Sequence, residues 1–298
     1  MKKTYIYIGK GGVGKSTCSS IGAIKSVNDG DKTLLDSLDP AHNLHDIFGA
    51  TFTNKPKKVI DNLYIRESDI TKLGKEYMKS MQRELKGIYH YQQALNIDRY
   101  FSILKYAPGT EEYASLMALE RCFAEKKFDN VFIDTPPTAL TMKTIALPSV
   151  NLHWINSLVD MRQEIVNKKN TIKNIRKENT ELLEEDPIFR QLMKMKKRYE
   201  ILNAKLKDDA AVEFVLILNE DELSFSESLL IKREMDELKF KLHRIIINKS
   251  TQNNQLFYDK IIKAFPSSII QHIPSSPIQV TSIEILKKFS SEIKTINK

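Results

Sequence analysis

One stretch near the start of the chain decides the fold: Gly9-Lys10-Gly11-Gly12-Val13-Gly14-Lys15-Ser16, followed by Thr17. It satisfies the phosphate-binding pattern GxxxxGK[ST], and it lies between a strand-like run, Tyr5 to Ile8, and a helical segment that begins near Ser16. Glycines let backbone N–H groups close around phosphate oxygens, and the N-terminus of the following helix favours negative charge. A glycine-rich turn without a ligand would not need the lysine and the serine in register. The stretch therefore predicts a P-loop.

Two side chains of this loop carry the expected chemistry. Lys15 can neutralise charge on the β- and γ-phosphates of a nucleotide, and the Ser16 hydroxyl can bind Mg²⁺. Thr17 and the loop residues from Gly9 to Ser16 are the predicted nucleotide contacts. A nucleotide and Mg²⁺ are therefore the expected ligands.

Further short and nearly continuous apolar runs predict the other strands. They are Thr33 to Leu35, Val131 to Ile133, Phe214 to Leu218, Arg244 to Ile247 and Ile269 to Ile273. Continuous runs are typical of strands that are buried on both faces, as in parallel sheets between layers of helices. Helical patterns separate the runs, and a last helix is expected at about Ser282 to Ile293. The predicted class is α/β, with a mostly parallel sheet flanked by helices.

Two stretches, residues 65–107 and 149–210, do not fit this alternation and are predicted to be helical insertions. In the first, apolar residues recur at helical steps: Ile70, Leu73, Tyr77, Met81 and Leu85. In the second, two similar series predict an antiparallel helical hairpin: Leu158, Met161, Ile165, Ile172, Ile175 and Leu182, then Ile188, Leu192, Met195, Tyr199, Leu202 and Leu206. No repeat or linker separates them, so we expect residues 1–298 to form one P-loop domain with a helical subdomain.

Composition excludes several classes of protein. The 298 residues are 41% hydrophobic and 28% charged, and no apolar run approaches the ~18 residues of a membrane span. The two cysteines, Cys18 and Cys122, are too few for a disulfide framework and form no CxxC, so we expect a cytoplasmic protein without zinc. The formal net charge is +8, but cations and anions are interleaved, and a nucleic-acid partner is not expected.

The additional lysine of the loop, Lys10, narrows the identification. The octet KGGVGKST resembles the deviant P-loop of the family that contains MinD, ParA, the nitrogenase iron protein and the ArsA-type ATPases. In that family this lysine reaches across a dimer interface to the nucleotide of the partner. The resemblance implies ATP as the nucleotide and a homodimer in which Lys10 is a catalytic residue; an exposed loop lysine is the alternative.

A second segment, Ser37-Leu38-Asp39-Pro40-Ala41-His42-Asn43-Leu44, resembles switch I of ArsA and of the ATPases that deliver tail-anchored membrane proteins. MinD and ParA do not share it. By this resemblance Asp39 positions and polarises the attacking water, which agrees with the need of phosphoryl transfer for an oriented nucleophile. An aspartate before proline is otherwise most often a turn residue.

A third segment, Val131 to Thr138, places an acid, Asp134, at the end of an apolar strand. This is the Walker B arrangement, in which the carboxylate holds Mg²⁺, usually through water. The resemblance continues without a gap to Pro148, but Ala139-Leu140 replaces Gly-His and Lys143 replaces Arg. The segment from Asp134 to Pro148 resembles switch II of these ATPases, and the two changes leave its flexibility and any arginine contact open.

A last segment, Ile245 to Lys249, resembles the strand whose terminal asparagine reads the adenine base in these ATPases. The resemblance implies that Asn248 binds the base and that Pro274 lines the same pocket. An asparagine at a strand end is otherwise commonly a turn former.

The family implies Mg²⁺-dependent ATP hydrolysis that is coupled to a client, and three clients or partners stay open. The first is an apolar transmembrane helix or membrane-protein partner, for which methionines such as Met78 and Met81 could line a groove, although at helical spacing they are more often core. The second is an anion or arsenite efflux pump, which the absence of clustered thiols disfavours. The third is a positioning role of the MinD and ParA kind, which switch I disfavours.

Overall fold

The computed structural model describes residues 2–41, 44–88, 109–180, 182–251, 253–276 and 280–296. The strands are β1 Lys3–Ile8, β2 Thr33–Ser37, β3 Lys57–Ile60, β4 Leu63–Glu67, β5 Asn130–Asp134, β6 Val212–Asn219, β7 Leu242–Ser250, β8 Ile269–Pro274 and β9 Lys294–Thr295. The helices are α1 Lys15–Asn28, α2 Leu44–Phe48, α3 Ile70–Ile88, α4 Thr110–Ala124, α5 Thr138–Ile175, α6 Pro187–Leu206, α7 Glu222–Glu237, α8 Gln255–Ala264 and α9 Ile283–Glu292. None of the helices in these ranges is both long and apolar enough to cross a membrane.

Within the described ranges the strands form one sheet, in the order β3-β4-β2-β5-β1-β6-β7-β8-β9. The strands from β4 to β8 in this order pair in parallel, and the two edge strands, β3 and β9, pair antiparallel. Helices pack on both faces of the sheet. The α/β class and the mostly parallel sheet are therefore confirmed.

The side chains of β1 show how the sheet divides the core. Ile6 and Ile8 pack on one face with residues of α4, α5, α7 and α8, whereas Tyr7 packs on the other face with residues of α1 and α9. All three side chains are buried. Because successive strand residues point to opposite faces, a strand covered by helices on both sides needs apolar residues at every position. This explains the continuous apolar runs of the sequence.

Each of the six predicted strands is present, as β1, β2, β5, β6, β7 and β8, whereas β3, β4 and β9 were not predicted. The strand β4 overlaps the start of the insertion predicted at residues 65–107, so the helix α3 begins only at Ile70. Residues 89–107 of that range and the side chains of Met81 and Leu85 lie outside the described residues.

The predicted hairpin consists of α5 and α6, and α5 begins at Thr138, before the predicted start of the insertion at residues 149–210. Asp186, at the start of α6, forms an ion pair with Arg162, whereas Tyr199 near its end packs in one cluster with Ile155. The later residues of α6 thus meet the earlier residues of α5. The two helices run antiparallel, as predicted.

Only α6 packs with its predicted face, whereas α5 uses a different one. On α6 the predicted series is packed: Tyr199, Leu202 and Leu206 are buried. On α5 the predicted series is exposed, and the contacts to α6 are made by residues such as Ile155 instead. The helix carries two apolar rows, and the spacing of the sequence does not tell which of them is covered.

Candidate active site

The P-loop joins the end of β1 to the start of α1, next to the ends of β6 and β7. A side chain at Gly9 would bring its Cβ within 2.5 Å of the carbonyl oxygen of Ile217. Gly14 has a φ of +89° and leaves room for Asn248, whose amide Nδ2 would lie 2.4 Å from a Cβ at this position. Glycine is required at both positions because only glycine allows this close approach and this backbone conformation.

Lys15 lies at the start of α1, and its side chain folds back over the loop. The Nζ atom donates a hydrogen bond to the carbonyl oxygen of Lys10 at 3.1 Å. Burial lowers the pKa of Lys15 from its ordinary value, and the negative charges of Asp134 and Asp39 partly offset this effect. The ammonium group is therefore held over the loop, close to both carboxylates that the sequence predicted for the site.

The Asp134 carboxylate, at the end of β5, is fully buried, and its two oxygens differ. Oδ2 accepts a hydrogen bond from the Ser37 hydroxyl at 3.2 Å, whereas Oδ1 is buried without a hydrogen-bond partner among the residues that the structure describes. Burial raises the pKa of this carboxyl to about 6, against the opposing influence of the Ser16 hydroxyl and the Lys15 ammonium. A buried carboxylate oxygen that lacks a partner is a good acceptor for a cation or for its bound water.

These groups fit Mg²⁺. The ion prefers oxygen ligands and is commonly bound through one or two protein groups together with phosphate oxygens and waters. Ser16 and Asp134 supply such oxygens beside the P-loop. No group of three or more His, Cys, Asp or Glu side chains in the described part of the chain could hold a metal by itself, and Mg²⁺ bound with a nucleotide does not require one.

Asp39 follows β2 by two residues and is half-buried. Its Oδ1 accepts a hydrogen bond from the N–H of Ala41 at 3.0 Å, which forms the local turn that an aspartate before proline favours. Its own N–H donates to the Ser37 hydroxyl at 3.3 Å. The charge of Asp39 also acts on the pKa of both Lys15 and Asp134. Asp39 therefore forms a local turn and also lies near the phosphate loop.

A cavity of about 660 Å³ opens beside the loop and brings together four of the predicted nucleotide contacts, Gly14, Thr17, Asn248 and Pro274. This volume lies within the ~300–1,000 Å³ typical of ligand pockets. The Asn248 amide Nδ2 donates to the carbonyl oxygen of Val13 at 2.8 Å, so this side chain also anchors the loop to β7. Phe289 of α9 lines the cavity as well, and no sequence signal connects it with the loop.

Lys10 points away from its own loop. Its Nζ lies 2.7 Å from Oε1 of Glu227 on α7, and the lysine side chain is 42% exposed. Glu227 was not among the predicted residues, because its helix lies far along the sequence. The lysine therefore stands at the open edge of the site, where another molecule could approach it.

Switch II continues from Asp134 into α5. Ala139 and Leu140 lie in the first turn of this helix, and the Thr141 hydroxyl donates to the carbonyl oxygen of Pro136 at 2.8 Å. Lys143 is exposed and lies 3.9 Å from Glu112 of α4. Lys143 thus faces α4 at the surface of the protein.

Several known ATPases resemble this chain over most of its length. A family model described as "Anion-transporting ATPase" matches residues 2–295. The "ATPase ASNA1 homolog 2" of Paramecium tetraurelia is 27% identical over 302 residues, which cover 96% of this chain and 91% of that protein. The "ATPase GET3A" of Arabidopsis thaliana is 27% identical over 305 residues, 96% of this chain and 82% of its own length. A candidate arsenical pump-driving ATPase of Aquifex aeolicus is 26% identical over 305 residues, which cover 97% of this chain and 98% of that protein.

The family match extends from β1 to β9, so it includes the P-loop and every other segment of the candidate site. The similar proteins are named as ATPases, and they are covered over most of their length. The chain therefore is an ATP-hydrolysing enzyme and belongs to the ArsA ATPase family, which is described as the family of anion-transporting ATPases.

Proposed function

We propose that this ATPase is a Mg²⁺-dependent homodimeric switch that couples ATP hydrolysis to the capture and release of an apolar transmembrane helix. The observation that carries the client is an exposed apolar face on α5. The observation that supports the switch is the convergence of Lys15, Asp39 and Asp134 on one edge of the sheet. Loss of the γ-phosphate removes contacts to such switch segments, and a packed helical hairpin can transmit that change.

The catalytic roles follow from the positions of the side chains. Lys15 and the amides of the P-loop hold the phosphates, and Asp39 orients the attacking water. Ser16 and Asp134 would hold Mg²⁺, which would neutralise phosphate charge. Thr17, Asn248 and Pro274 receive the nucleoside in the cavity beside the loop.

The position of Lys10 is an argument for the proposed homodimer. Its partner in the protomer is Glu227, and the exposure of this ion pair means that its net strength is small. The lysine can therefore leave the carboxylate when a stronger anion, such as the phosphates of a facing subunit, approaches. We propose that Lys10 stabilises the transition state of the partner's nucleotide.

Lys10→Ala is expected to bind ATP at close to the parent affinity and to hydrolyse it at least tenfold more slowly, because it removes one cation from the phosphoryl group in transfer. Steady-state hydrolysis and fluorescent-nucleotide binding measure the two effects. Lys143→Ala is the matched control, since Lys143 is exposed and faces α4. A Lys10→Ala protein that hydrolyses ATP at the full rate as a monomer would contradict the dimer.

The exposed face of α5, called here the apolar stripe, consists of six large side chains: Val150, Trp154, Leu158, Met161, Ile165 and Ile172. Trp154 is 65% exposed and Met161 is 57% exposed. Their separations of three, four and seven residues place them on one face of the helix. Single exposed apolar residues are normal, but a continuous row of them indicates an interaction site.

The dimensions of the apolar stripe suit a transmembrane helix. From Val150 to Ile172 it extends about 33 Å at the helical rise of ~1.5 Å per residue. A membrane-spanning helix has ~20 apolar residues and a similar length, ~30 Å. An amphipathic helix face that is exposed along this length, as the apolar stripe is among the described residues, can bind another helix through successive anchors.

Substitution of the stripe tests the client. Met161→Glu combined with Ile165→Glu is expected to weaken the binding of a synthetic 20-residue Leu/Ala helix at least tenfold, because a charge would have to be desolvated in the contact. Trp154 is the single tryptophan of the chain, so a blue shift of its emission on addition of a tryptophan-free peptide reports binding at the stripe itself. Tighter binding is expected with a non-hydrolysable ATP analogue than with ADP.

Asn167→Glu is the matched control, since this exposed residue of α5 lies on the opposite side of the helix. It is expected to leave peptide binding and basal hydrolysis unchanged. If the double glutamate variant binds the peptide as tightly as the parent protein, the apolar stripe is not the binding site. If the parent protein binds the peptide equally with the ATP analogue and with ADP, peptide binding is not coupled to the nucleotide.

The second candidate, an arsenical pump ATPase, is favoured by the similarity to the protein of Aquifex aeolicus. The cysteines argue against it. Cys18 lies in α1 on one face of the sheet, Cys122 lies in α4 on the other face, and both are buried. A trivalent arsenical needs converging thiolates, which this arrangement does not supply. A several-fold stimulation of hydrolysis by arsenite, abolished in Cys122→Ser, would reverse the order of the two candidates.

A further inference from the structure

Ser37 occupies a fixed position between the two acidic segments of the site. It is the last residue of β2, it is buried, and its Cα lies opposite that of Asp134 in the parallel pairing with β5. The backbone is anchored on both sides, because the Leu38 N–H donates to the carbonyl oxygen of Asp134 at 2.8 Å and the Ser68 N–H donates to that of Ser37 at 2.9 Å. The hydroxyl is therefore not needed to hold the strand in place.

Both hydrogen-bonding capacities of this hydroxyl are directed at the site. Oγ donates to Oδ2 of Asp134 at 3.2 Å and accepts from the N–H of Asp39 at 3.3 Å. One small group thus links the carboxylate at the end of β5 to the backbone of switch I. The link also leaves Oδ1 of Asp134 as the oxygen without a partner in the described residues.

We propose that Ser37 is a positioning residue for ATP hydrolysis, which fixes the orientation of the Asp134 carboxylate and the backbone of Asp39 relative to each other. This inference rests on the proposed function, because it assigns the metal-holding and water-orienting roles to those two aspartates. A displacement of either aspartate is transmitted to the other through the shared hydroxyl. The hydroxyl consequently holds the backbone of switch I in one alignment with the carboxylate that would hold Mg²⁺.

Ser37→Ala removes the hydroxyl and leaves both backbone anchors. Loss of a hydrogen bond to a charged group corresponds to an effect of about tenfold to a hundredfold, and we expect a decrease of kcat in this range. The affinity for a fluorescent ATP analogue is expected to fall several-fold with Mg²⁺ and to stay unchanged with EDTA. The second measurement is an equilibrium quantity that does not depend on turnover.

Two further variants separate positioning from packing. Ser37→Thr keeps the hydroxyl and is expected to recover hydrolysis to within a few-fold of the parent rate. In the Asp39→Asn background, Ser37→Ala is expected to lower the single-turnover rate less than twofold, because residues that act as a unit are not additive. The melting temperature of Ser37→Ala verifies that the variant is folded, and if Ser37→Thr does not fold, the Asp39→Asn background still supplies the test.

The outcomes distinguish the inference from the function on which it rests. If Asp39→Asn is inactive and Ser37→Ala hydrolyses ATP at the parent rate, the positioning role is wrong and the ATPase site stands. If Ser37→Ala weakens the analogue equally with Mg²⁺ and with EDTA, its role is purely structural and the inference is also wrong. If Asp39→Asn itself hydrolyses ATP normally, the assignment of switch I fails.

Discussion

Asp39→Asn is expected to bind ATP almost as tightly as the parent protein and to hydrolyse it about 10²- to 10⁴-fold more slowly. Its amide keeps the size of the carboxylate but cannot accept a proton from the attacking water. The substitution leaves the phosphate-binding groups in place, since those are Lys15 and the amides of the P-loop. Fluorescent-nucleotide titration and single-turnover hydrolysis measure the two quantities separately.

Lys15→Ala is expected to lose binding and turnover together, because the ammonium group of Lys15 lies over the loop and attracts the phosphates in the ground state as well as in the transition state.

Asp61→Asn is the control for Asp39→Asn, since it makes the same chemical change at a surface turn between β3 and β4. Normal hydrolysis by Asp39→Asn would remove Asp39 from the mechanism.

The sequence was informative where local chemistry determines local structure. The P-loop needs glycine at positions where the backbone is left-handed or touches a neighbouring strand, as at Gly9 and Gly14, and such requirements are visible in the pattern itself. Six of the strands could be predicted because burial on both faces demands uninterrupted apolar residues. These signals located the ATPase core without any knowledge of the tertiary structure.

Features that depend on distant partners were not visible. The charges of Arg66 and Glu67 obscured β4, because the residue that neutralises Arg66 is Asp36 on another strand. The exposed row on α5 was predicted to be packed, since spacing reveals an apolar face but not its covering. Glu227 and Phe289 join the site from α7 and α9, which only the fold brings near the P-loop.

Arg66→Met is expected to lower the free energy of unfolding by about 3–5 kcal/mol. The guanidinium and the Asp36 carboxylate are both fully buried, and the Nη2 and Nε atoms lie 2.7 Å and 2.9 Å from Oδ2 of Asp36. A third nitrogen, Nη1, lies 2.9 Å from Glu125. In the part of the chain that the structure describes, removal of the cation leaves the buried Asp36 carboxylate with the Ser68 hydroxyl and the Cys122 thiol as neutral donors. These two donors do not compensate the desolvation of the carboxylate.

Thermal and denaturant unfolding measure this effect, and a loss of this size corresponds to a decrease of about 10 °C in the melting temperature. Lys58→Met is the control, because its ion pair with Asp61 lies at the surface, where solvent screens it, and no measurable shift is expected. Adding Asp36→Asn to Arg66→Met is expected to recover part of the loss, since it neutralises the abandoned charge. A double variant that is no more stable than Arg66→Met would show that lost packing around the guanidinium, and not the unpaired carboxylate, is responsible for the destabilisation.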